Sequence, residues 1–357
     1  MKENDLTVNP MLSPSTDWEE EFEPGEQELF ERFASEVIVD RQREVAQQRA
    51  RPAMRGFHAK LHAGLMAEFQ VLPDLPEHAR VGIFSEPRVF PAVVRFSNGT
   101  PFRQADKRRE PRGIGIKLVG VPGDKLLEGQ EKAVTQDFLA TSHSVTSTVR
   151  NMRQFMAFID AERNHRSTLP FALARSVGVM EAGRILIAFV RTVIFSKVRS
   201  MATEHYASTA PVKFGPYAVK FTVRPVEETR RPVERPLTDD FLREELADRL
   251  REGDLLFDFV VQFYVNKKLT PIEDTSVEWK AEHAPFMTVA KLRIPKCDLT
   301  DPRTDAMSEA VNRLSFTPWH ATEDHRPLGN VMRARKVAYL MSSDFRQHLP
   351  EPASLPL

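Results

Sequence analysis

The hydrophobic pattern of this chain changes repeatedly between strand-like and helix-like spacing, and this change limits the folds that the chain can adopt. Short runs rich in β-branched and aromatic residues, bounded by Pro, Gly and Asn, are typical of strands. Such runs lie at residues 82–84, 92–97, 113–119, 212–224, 255–265 and 287–294. Segments with helical spacing lie at residues 25–50, 149–197, 238–252 and 330–345. Strands through the middle, with helices inserted and at both ends, predict an α+β fold with antiparallel strands.

The two ends of the chain are predicted to flank one central domain. The first 50 residues are strongly acidic, and within them residues 1–23 are predicted to form a loose tail. Residues 25–50 are predicted to form a helical arm that packs on the body or on a partner subunit. The central domain is predicted to span residues 51–348, with a helical insertion at about 149–205, and residues 349–357 form a Pro-rich tail.

Composition excludes several classes of function. Lys and Arg number 50 and so do Asp and Glu, so no overall field favours nucleic acid. The single cysteine, Cys297, excludes an internal disulfide and fits a reducing compartment. We find no signal-peptide pattern at the N-terminus, so a cytoplasmic protein is expected. The absence of a Gly-x-Gly-x-x-Gly motif argues against a nicotinamide cofactor.

A short pattern near the C-terminus combines arginines with a tyrosine. Arg335 and Tyr339 are four residues apart, so they share one face of the predicted helix, and Arg346 lies two turns further on. A guanidinium beside a phenol stabilises the phenolate, and a tyrosinate can ligate ferric haem iron. The same spacing is also typical of an amphipathic surface helix with scattered arginines. The pattern alone therefore leaves both interpretations open.

Three upstream segments favour the haem interpretation. They read Arg-Gly-Phe-His-Ala-Lys at residues 55–60, Val-Arg-Phe-Ser at 94–97 and Arg-Glu-Pro-Arg-Gly-Ile-Gly-Ile-Lys at 109–117. Followed by the Arg-x-x-x-Tyr of residues 335–339 and an arginine seven residues later, they resemble the ordered signature of the haem catalases. Weaker matches lie at residues 262–279, 288–292 and 315–319, and the resemblance covers about residues 52–348.

The resemblance implies a fold and a cofactor. It implies a catalase-like antiparallel β-barrel core with inserted and C-terminal helices, and a bound haem b whose iron is held by Tyr339. Because the chain is short for that family, it is similar to the small catalase-related peroxidases and to hydroperoxide-transforming enzymes such as allene oxide synthases. Electron donor and product stay open.

The resemblance also implies roles for individual residues. His58 corresponds to the distal histidine, Ser97 to the serine that orients it, and Arg335 to the partner of the proximal Tyr339. The haem propionates would pair with Arg55, Arg95 and Arg346, and Phe155 would stack on the haem. The alternatives are a core histidine, an ordinary strand serine and surface arginines.

The distal side departs from the catalase pattern. Residues 142–145 read Ser-His-Ser-Val where catalases have Asn-Asn-Thr-Pro, so Ser142 replaces the distal asparagine and His143 stands beside it. A shift of a few residues in this alignment would bring Asn151 to that place instead. Phe57 precedes the distal histidine where catalases have Val and allene oxide synthases have Thr. These changes imply a distal pocket of altered polarity and shape.

Three functions follow from this pattern. The first is a haem enzyme that reacts with an organic or fatty-acid hydroperoxide, as a peroxidase or as a hydroperoxide isomerase or dehydratase. The second is a true but slow hydrogen-peroxide catalase. The third is a non-enzymatic haem carrier or sensor on the same scaffold, because a fold is secured more firmly than an activity.

One apolar segment suggests a partner. Residues 171–198 are unusually rich in large apolar side chains. One hypothesis is peripheral contact with lipid, at an entrance for a fatty-acid hydroperoxide. The alternative is ordinary packing, in the core or between the subunits of a homo-oligomer.

Overall fold

The computed structural model describes residues 12–49, 55–142, 146–195, 197–226, 236–346 and 349–355. Within these ranges the strands are β1 (Leu61–Val71), β2 (Val89–Asn98), β3 (Arg112–Val119), β4 (Thr135–Ser142), β5 (Tyr206–Ala207), β6 (Val212–Phe214), β7 (Tyr217–Pro225), β8 (Leu255–Phe263) and β9 (Met287–Ile294). They form one antiparallel sheet in the order β5-β4-β3-β2-β1-β9-β8-β7-β6. A further pairing of β5 with β7 closes eight of the strands into a barrel, and β6 extends β7 as a hairpin. The predicted α+β fold with an antiparallel barrel is confirmed.

The inside of the barrel is filled by aromatic rings. Phe259 stacks or packs edge-on against Phe138 at 4.9 Å, Phe221 at 5.0 Å and Phe69 at 5.2 Å between ring centroids. All four side chains are almost fully buried. Such close packing leaves the interior without room for a large ligand. A ligand site must therefore lie on the outside of the barrel.

Helices flank the barrel. They are α1 (Glu26–Arg32), a π-helical stretch (Phe33–Val39), α2 (Asp40–Arg49), α3 (Met152–Asn164), α4 (Leu169–Val177), α5 (Val179–Phe195), α6 (Phe241–Glu252), α7 (Pro302–Arg313) and α8 (Asn330–Phe345). Helix α8 packs on α1 and the π-helical stretch through Phe30, Ala34, Ile38 and Ala338. Within the described ranges, none of these helices has the length and apolarity that crossing a bilayer requires.

Several elements differ from the sequence prediction, each for a local reason. Residues 82–84 form a single 3₁₀ turn rather than a strand, because Gly82 adopts φ 51°. The predicted helix over 171–198 is divided at Gly178, where φ is 87°, and the strand over 212–224 turns at Gly215, where φ is 60°. Strand β1 was not predicted: its residues 62–65 are buried on both faces and show no alternation, although residues 67–71 alternate between buried and exposed positions.

The acidic N-terminal segment is held in place, so the prediction of a loose tail over 1–23 is wrong for its described part, residues 12–23. The Arg333 side chain of α8 forms ion pairs with Glu20 and Glu26, both at 2.8 Å, and with Glu273 at 3.3 Å. The Trp18 indole donates a hydrogen bond to the carbonyl of Pro216 at 2.8 Å. The acidic residues thus serve as anions for a mostly buried cation.

The C-terminal segment is docked as well. Glu351 accepts a charge-assisted hydrogen bond of 2.6 Å from Lys117, which also pairs with Asp137 at 2.7 Å in the same buried cluster. His320 lies against this cluster, 2.8 Å from Asp137. The Pro-rich residues after 348 therefore pack back onto the barrel, at least over the described residues 349–355.

We predict that Arg333→Ala lowers the free energy of unfolding by about 2 kcal/mol, because it removes the mostly buried cation that three carboxylates share, and only Glu20 keeps another cationic partner among the described residues, Arg326. Arg293→Ala is the matched control. Arg293 also pairs with two acids, Asp254 and Glu68, but its side chain is 45% exposed, so a loss below about 1 kcal/mol is expected. Urea unfolding followed by circular dichroism measures both variants, and equal losses would contradict the anchoring role of Arg333.

Candidate functional site

A cavity of about 370 Å³ lies between the barrel and the helical layer. It is lined from the barrel side by His58, Arg95, Ser97, Gly113, Leu139, Thr141 and Thr209, and from the helical side by Phe33, Ile38, Phe155, Arg335, Tyr339 and Arg346, among others. Arg55 lines it too, from the chain segment that precedes His58. Eight of the site residues predicted from sequence therefore meet around one cavity, although they lie on elements far apart in the chain.

His58 has an unusual backbone conformation and a defined proton position. Its φ is 57°, in the left-handed region that residues other than Gly seldom adopt. Its Nδ1 lies 2.6 Å from the backbone carbonyl oxygen of Asn98 and 3.1 Å from Ser97 Oγ. Because a carbonyl oxygen only accepts, Nδ1 carries the proton, and Nε2 keeps its lone pair.

The surroundings of His58 keep the ring neutral and give it room. Burial, reinforced by the nearby guanidinium of Arg95, lowers the pKa of His58 to about 4. A side chain at position 113 would collide with the imidazole ring and with Ser97 Oγ, so Gly113 on β3 is required by this close approach. His58 is thus a neutral base near pH 7.

A buried polar network holds the carbonyl that fixes His58. The Asn98 side chain donates hydrogen bonds to the Phe102 carbonyl at 2.8 Å and to Glu110 at 3.2 Å. Glu110 in turn accepts a hydrogen bond of 2.7 Å from the guanidinium of Arg112, which is almost fully buried. The Glu-Pro-Arg-Gly turn therefore acts on the site through the backbone of Asn98 and contributes no side chain to the cavity.

Helix α8 brings a guanidinium to the phenol of Tyr339. Arg335 Nη2 donates to Tyr339 Oη at 3.1 Å, and the guanidinium carbon lies 5.1 Å from the ring centroid. Arg335 Nη1 also contacts Met332 Sδ at 3.4 Å, which keeps the side chain along the helix. The arrangement that the spacing predicts is therefore present.

Three arginines line the cavity, Arg95 buried and Arg55 and Arg346 half-buried, without a carboxylate partner among the described residues. Arg95 donates to the His58 carbonyl at 2.9 Å, and Arg55 donates to the Leu314 carbonyl at 2.6 Å. Nε of Arg55, and Nε and Nη2 of Arg346, are buried without any hydrogen bond.

The three cations also disturb one another. Burial, with the charge of Arg346 beside it, lowers the pKa of Arg95 to about 9. Burial lowers the pKa of Arg346 to about 10, and that of Arg55 falls well below its usual range through burial and then through Arg95. Such a cluster requires an anion, and the two propionates of a haem fit it.

The predicted replacement of the distal asparagine by Ser142 is not supported. Ser142 is buried outside the cavity, where its Oγ accepts a hydrogen bond from the Arg112 backbone N–H at 2.9 Å, and its neighbour Thr141 lines the cavity instead. The Asn151 side chain caps α3 by accepting a hydrogen bond of 3.1 Å from the Gln154 N–H, so Asn151 does not stand in for the distal asparagine either. His143 lies outside the described residues.

Some of the other lining residues carry no signal in the sequence. Ser208, Thr209 and Ala210 reach the cavity because β5 pairs with both β4 and β7, a long-range contact that no local pattern announces. Phe316 reaches it from the loop after α7, in the segment that resembles the catalase Phe-x-Pro motif. Motif order could find Phe316, but no sequence feature points to Thr209.

Known proteins that resemble this chain include a curated relative and several solved structures. No family model matches the chain. A catalase-related peroxidase from Mycolicibacterium paratuberculosis is 25% identical over 313 residues, which cover 86% of this chain and 93% of that protein.

The solved structures that resemble the chain include larger catalases. Catalase A from Saccharomyces cerevisiae superimposes with a TM-score of 0.62 at 16% identity, and a fungal catalase with 0.61 at 16%. A bacterial catalase gives 0.59 at 14%. The matches cover 85–86% of this chain but only 60–64% of those catalases, so they show the fold of the shared part.

We predict opposite effects of Arg346→Leu on the two forms of the protein. In the haem-free protein the free energy of unfolding should rise by up to about 1 kcal/mol, because one of three repelling buried cations is removed. Affinity for added hemin should fall at least about tenfold, since a charge-assisted contact to a propionate is lost. Urea unfolding and hemin titration by absorbance measure these effects.

The exposed Arg303 on α7 provides the control, as Arg303→Leu. It should change neither quantity. If Arg346→Leu left hemin affinity at the wild-type value, the assignment of this arginine to a propionate would be wrong.

Proposed function

We propose that this chain is a haem-dependent enzyme of the catalase superfamily that reacts with peroxides, preferentially with organic hydroperoxides. One observation carries the proposal. A neutral His58 and an Arg335-supported Tyr339 face the same cavity, whose three arginines have no acidic partner among the described residues. A base, an anionic iron ligand and an anion-binding cluster are the parts that such an enzyme needs.

The residues would divide the binding of haem b between them. Tyr339 Oη would ligate the iron, with Arg335 holding the phenolate, and Arg55, Arg95 and Arg346 would pair with the propionates. Phe155, held edge-on by Phe33 at 5.6 Å, would pack against the macrocycle. When bound, haem supplies the ferric centre that cleaves a peroxide O–O bond.

His58 would manage the proton of the peroxide. Its Nε2 lone pair accepts the proton of the incoming hydroperoxide, and the resulting imidazolium can return it to the departing oxygen. The Asn98 carbonyl accepts from Nδ1–H throughout, so the ring keeps one orientation. Ser97 lies close enough to Nδ1 to support the same orientation.

The lining of the cavity favours an organic substrate. Phe57, beside His58, is 38% exposed and lines the cavity together with apolar side chains such as Leu139, Val149 and Ala207. None of the described lining residues is an asparagine that could polarise hydrogen peroxide. A fatty-acid hydroperoxide, handled by a peroxidase or by an isomerase or dehydratase, fits such a lining.

Purified haem-loaded protein should consume cumene hydroperoxide and linoleate hydroperoxide faster than it releases oxygen from hydrogen peroxide. His58→Ala should lower hydroperoxide turnover by about 10²–10⁴, the usual contribution of a general base. His165→Ala, at an exposed position after α3, is the control and should leave turnover unchanged. Product analysis then separates reduction from isomerisation or dehydration.

Two outcomes would favour the alternatives. Faster oxygen release from hydrogen peroxide, without an electron donor, would indicate a slow catalase. Hydroperoxide turnover that His58→Ala does not change would indicate a haem-binding protein that is not an enzyme.

We predict that kcat/KM for cumene hydroperoxide is independent of His58 ionisation near pH 7 and falls as pH drops through about 4. The pKa of His58 is lowered, so the neutral, proton-accepting form persists to acid pH, and only below that value does protonation remove the lone pair. Circular dichroism at each pH separates this effect from acid unfolding. A fall centred near the ordinary histidine pKa of about 6.5 would contradict the buried environment of His58.

A further inference from the structure

The hairpin of α4 and α5 exposes an unusual amount of apolar surface. Met180 is 91% exposed, Phe171 80%, Val179 79%, Ile187 57% and Val190 49%. We call these five residues the outer face of the hairpin. They account for nearly half of the exposed large hydrophobic residues among the described ones, although the hairpin is a small part of the chain.

The outer face is not needed to fold the hairpin. On α5, Val179, Ile187 and Val190 lie at i, i+8 and i+11, and therefore on one side of the helix. Ala182 and Ile185, which lie away from this side, are buried in a cluster with α3 and α4. The hairpin therefore already has its intramolecular contact, and the apolar outer face needs a different partner.

The charged residues of the hairpin and its flanking residues are almost all positive. Residues 166–199 contain six Arg or Lys and one acidic residue, Glu181, which is paired with Arg184 at 2.6 Å. Arg175, Arg191, Lys197 and Arg199 are exposed and have no acidic partner among the described residues. The chain as a whole carries no net charge, so this positive region is local.

We infer that the α4–α5 hairpin docks the protein on the surface of an anionic lipid bilayer. An amphipathic helix with large apolar residues on one face and basic residues at its margin lies in the interfacial plane, where anionic headgroups attract the cations. A second copy of the chain is a poorer partner. A twofold contact would bring the same unpaired cations of both copies together.

The docking surface lies one helix away from the cavity. Helix α3 packs on the hairpin through Ala161 and Phe158, whereas its Phe155 lines the cavity. A bilayer beneath the hairpin would bring lipid hydroperoxides near the site. This role in substrate delivery rests on the proposed function, but the docking itself does not.

Co-sedimentation of the full chain with lipid vesicles tests the docking. The protein should sediment with vesicles of equal parts phosphatidylcholine and phosphatidylglycerol, and much less with phosphatidylcholine alone or in 0.5 M NaCl, because salt screens the attraction. Met180→Ser/Ile187→Ser should lower the partition coefficient about tenfold or more. Arg191→Gln/Lys197→Gln should lower it roughly five-fold per charge.

Val89→Ser/Leu237→Ser is the matched control. Both residues are about as exposed as Val190, at 51% and 46%, but lie away from the hairpin, so vesicle binding should stay at the wild-type value. Turnover of soluble cumene hydroperoxide should be the same in all variants. That measurement reports on the proposed function alone, so its failure is distinguishable from a failure of docking.

Several results would overturn the inference. One is wild-type protein that stays in solution with the anionic vesicles. Another is binding that Met180→Ser/Ile187→Ser leaves intact. A third is sedimentation velocity showing a dimer that this variant converts to a monomer, without vesicle binding, because the outer face would then be a subunit interface.

Discussion

Three guanidinium groups buried together, without a carboxylate among the described residues, set the conditions for the rest of the site. Arg55 and Arg95 are fixed by backbone carbonyls and by Asn312 of α7, and Arg346 reaches them from the end of α8. Burial of uncompensated charge is costly, and the lowered pKa values of all three residues express that cost. The protein tolerates it because an anionic ligand would convert the repulsion into paired contacts.

Barrel and helices have different tasks in this arrangement. The barrel is a rigid support whose phenylalanine-filled interior excludes ligands, so its chemistry lies on its outer surface. There the backbone of Asn98, held by Glu110, fixes the tautomer of His58. The helical layer contributes Tyr339 and is anchored to the N-terminal segment through the ion pairs of Arg333. The cavity exists only where these two layers meet.

Local patterns in the sequence predicted those strands and helices whose hydrophobic residues recur at a regular strand-like or helical spacing. The strand over 287–294 and the helix over 330–345 have the predicted bounds, because alternation and helical spacing are intact in them. Strand β1 was not predicted, because burial of both faces removes alternation over its residues 62–65 and leaves it only over residues 67–71. The predicted replacement of the distal asparagine by Ser142 is not supported for a different reason. Ser142 was placed by alignment, but its hydroxyl accepts from the Arg112 backbone and lies outside the cavity.

The sequence by itself predicted eight of the residues that line the cavity, because the order and spacing of the motifs around His58, Arg95 and Tyr339 can be recognised without any knowledge of contacts. It also determined that Arg335 would meet Tyr339, since four residues on a helix fix that distance. Only the tertiary structure decided that His58 is neutral and protonated on Nδ1. That state depends on burial and on a carbonyl 40 residues away, and neither is encoded in a local pattern.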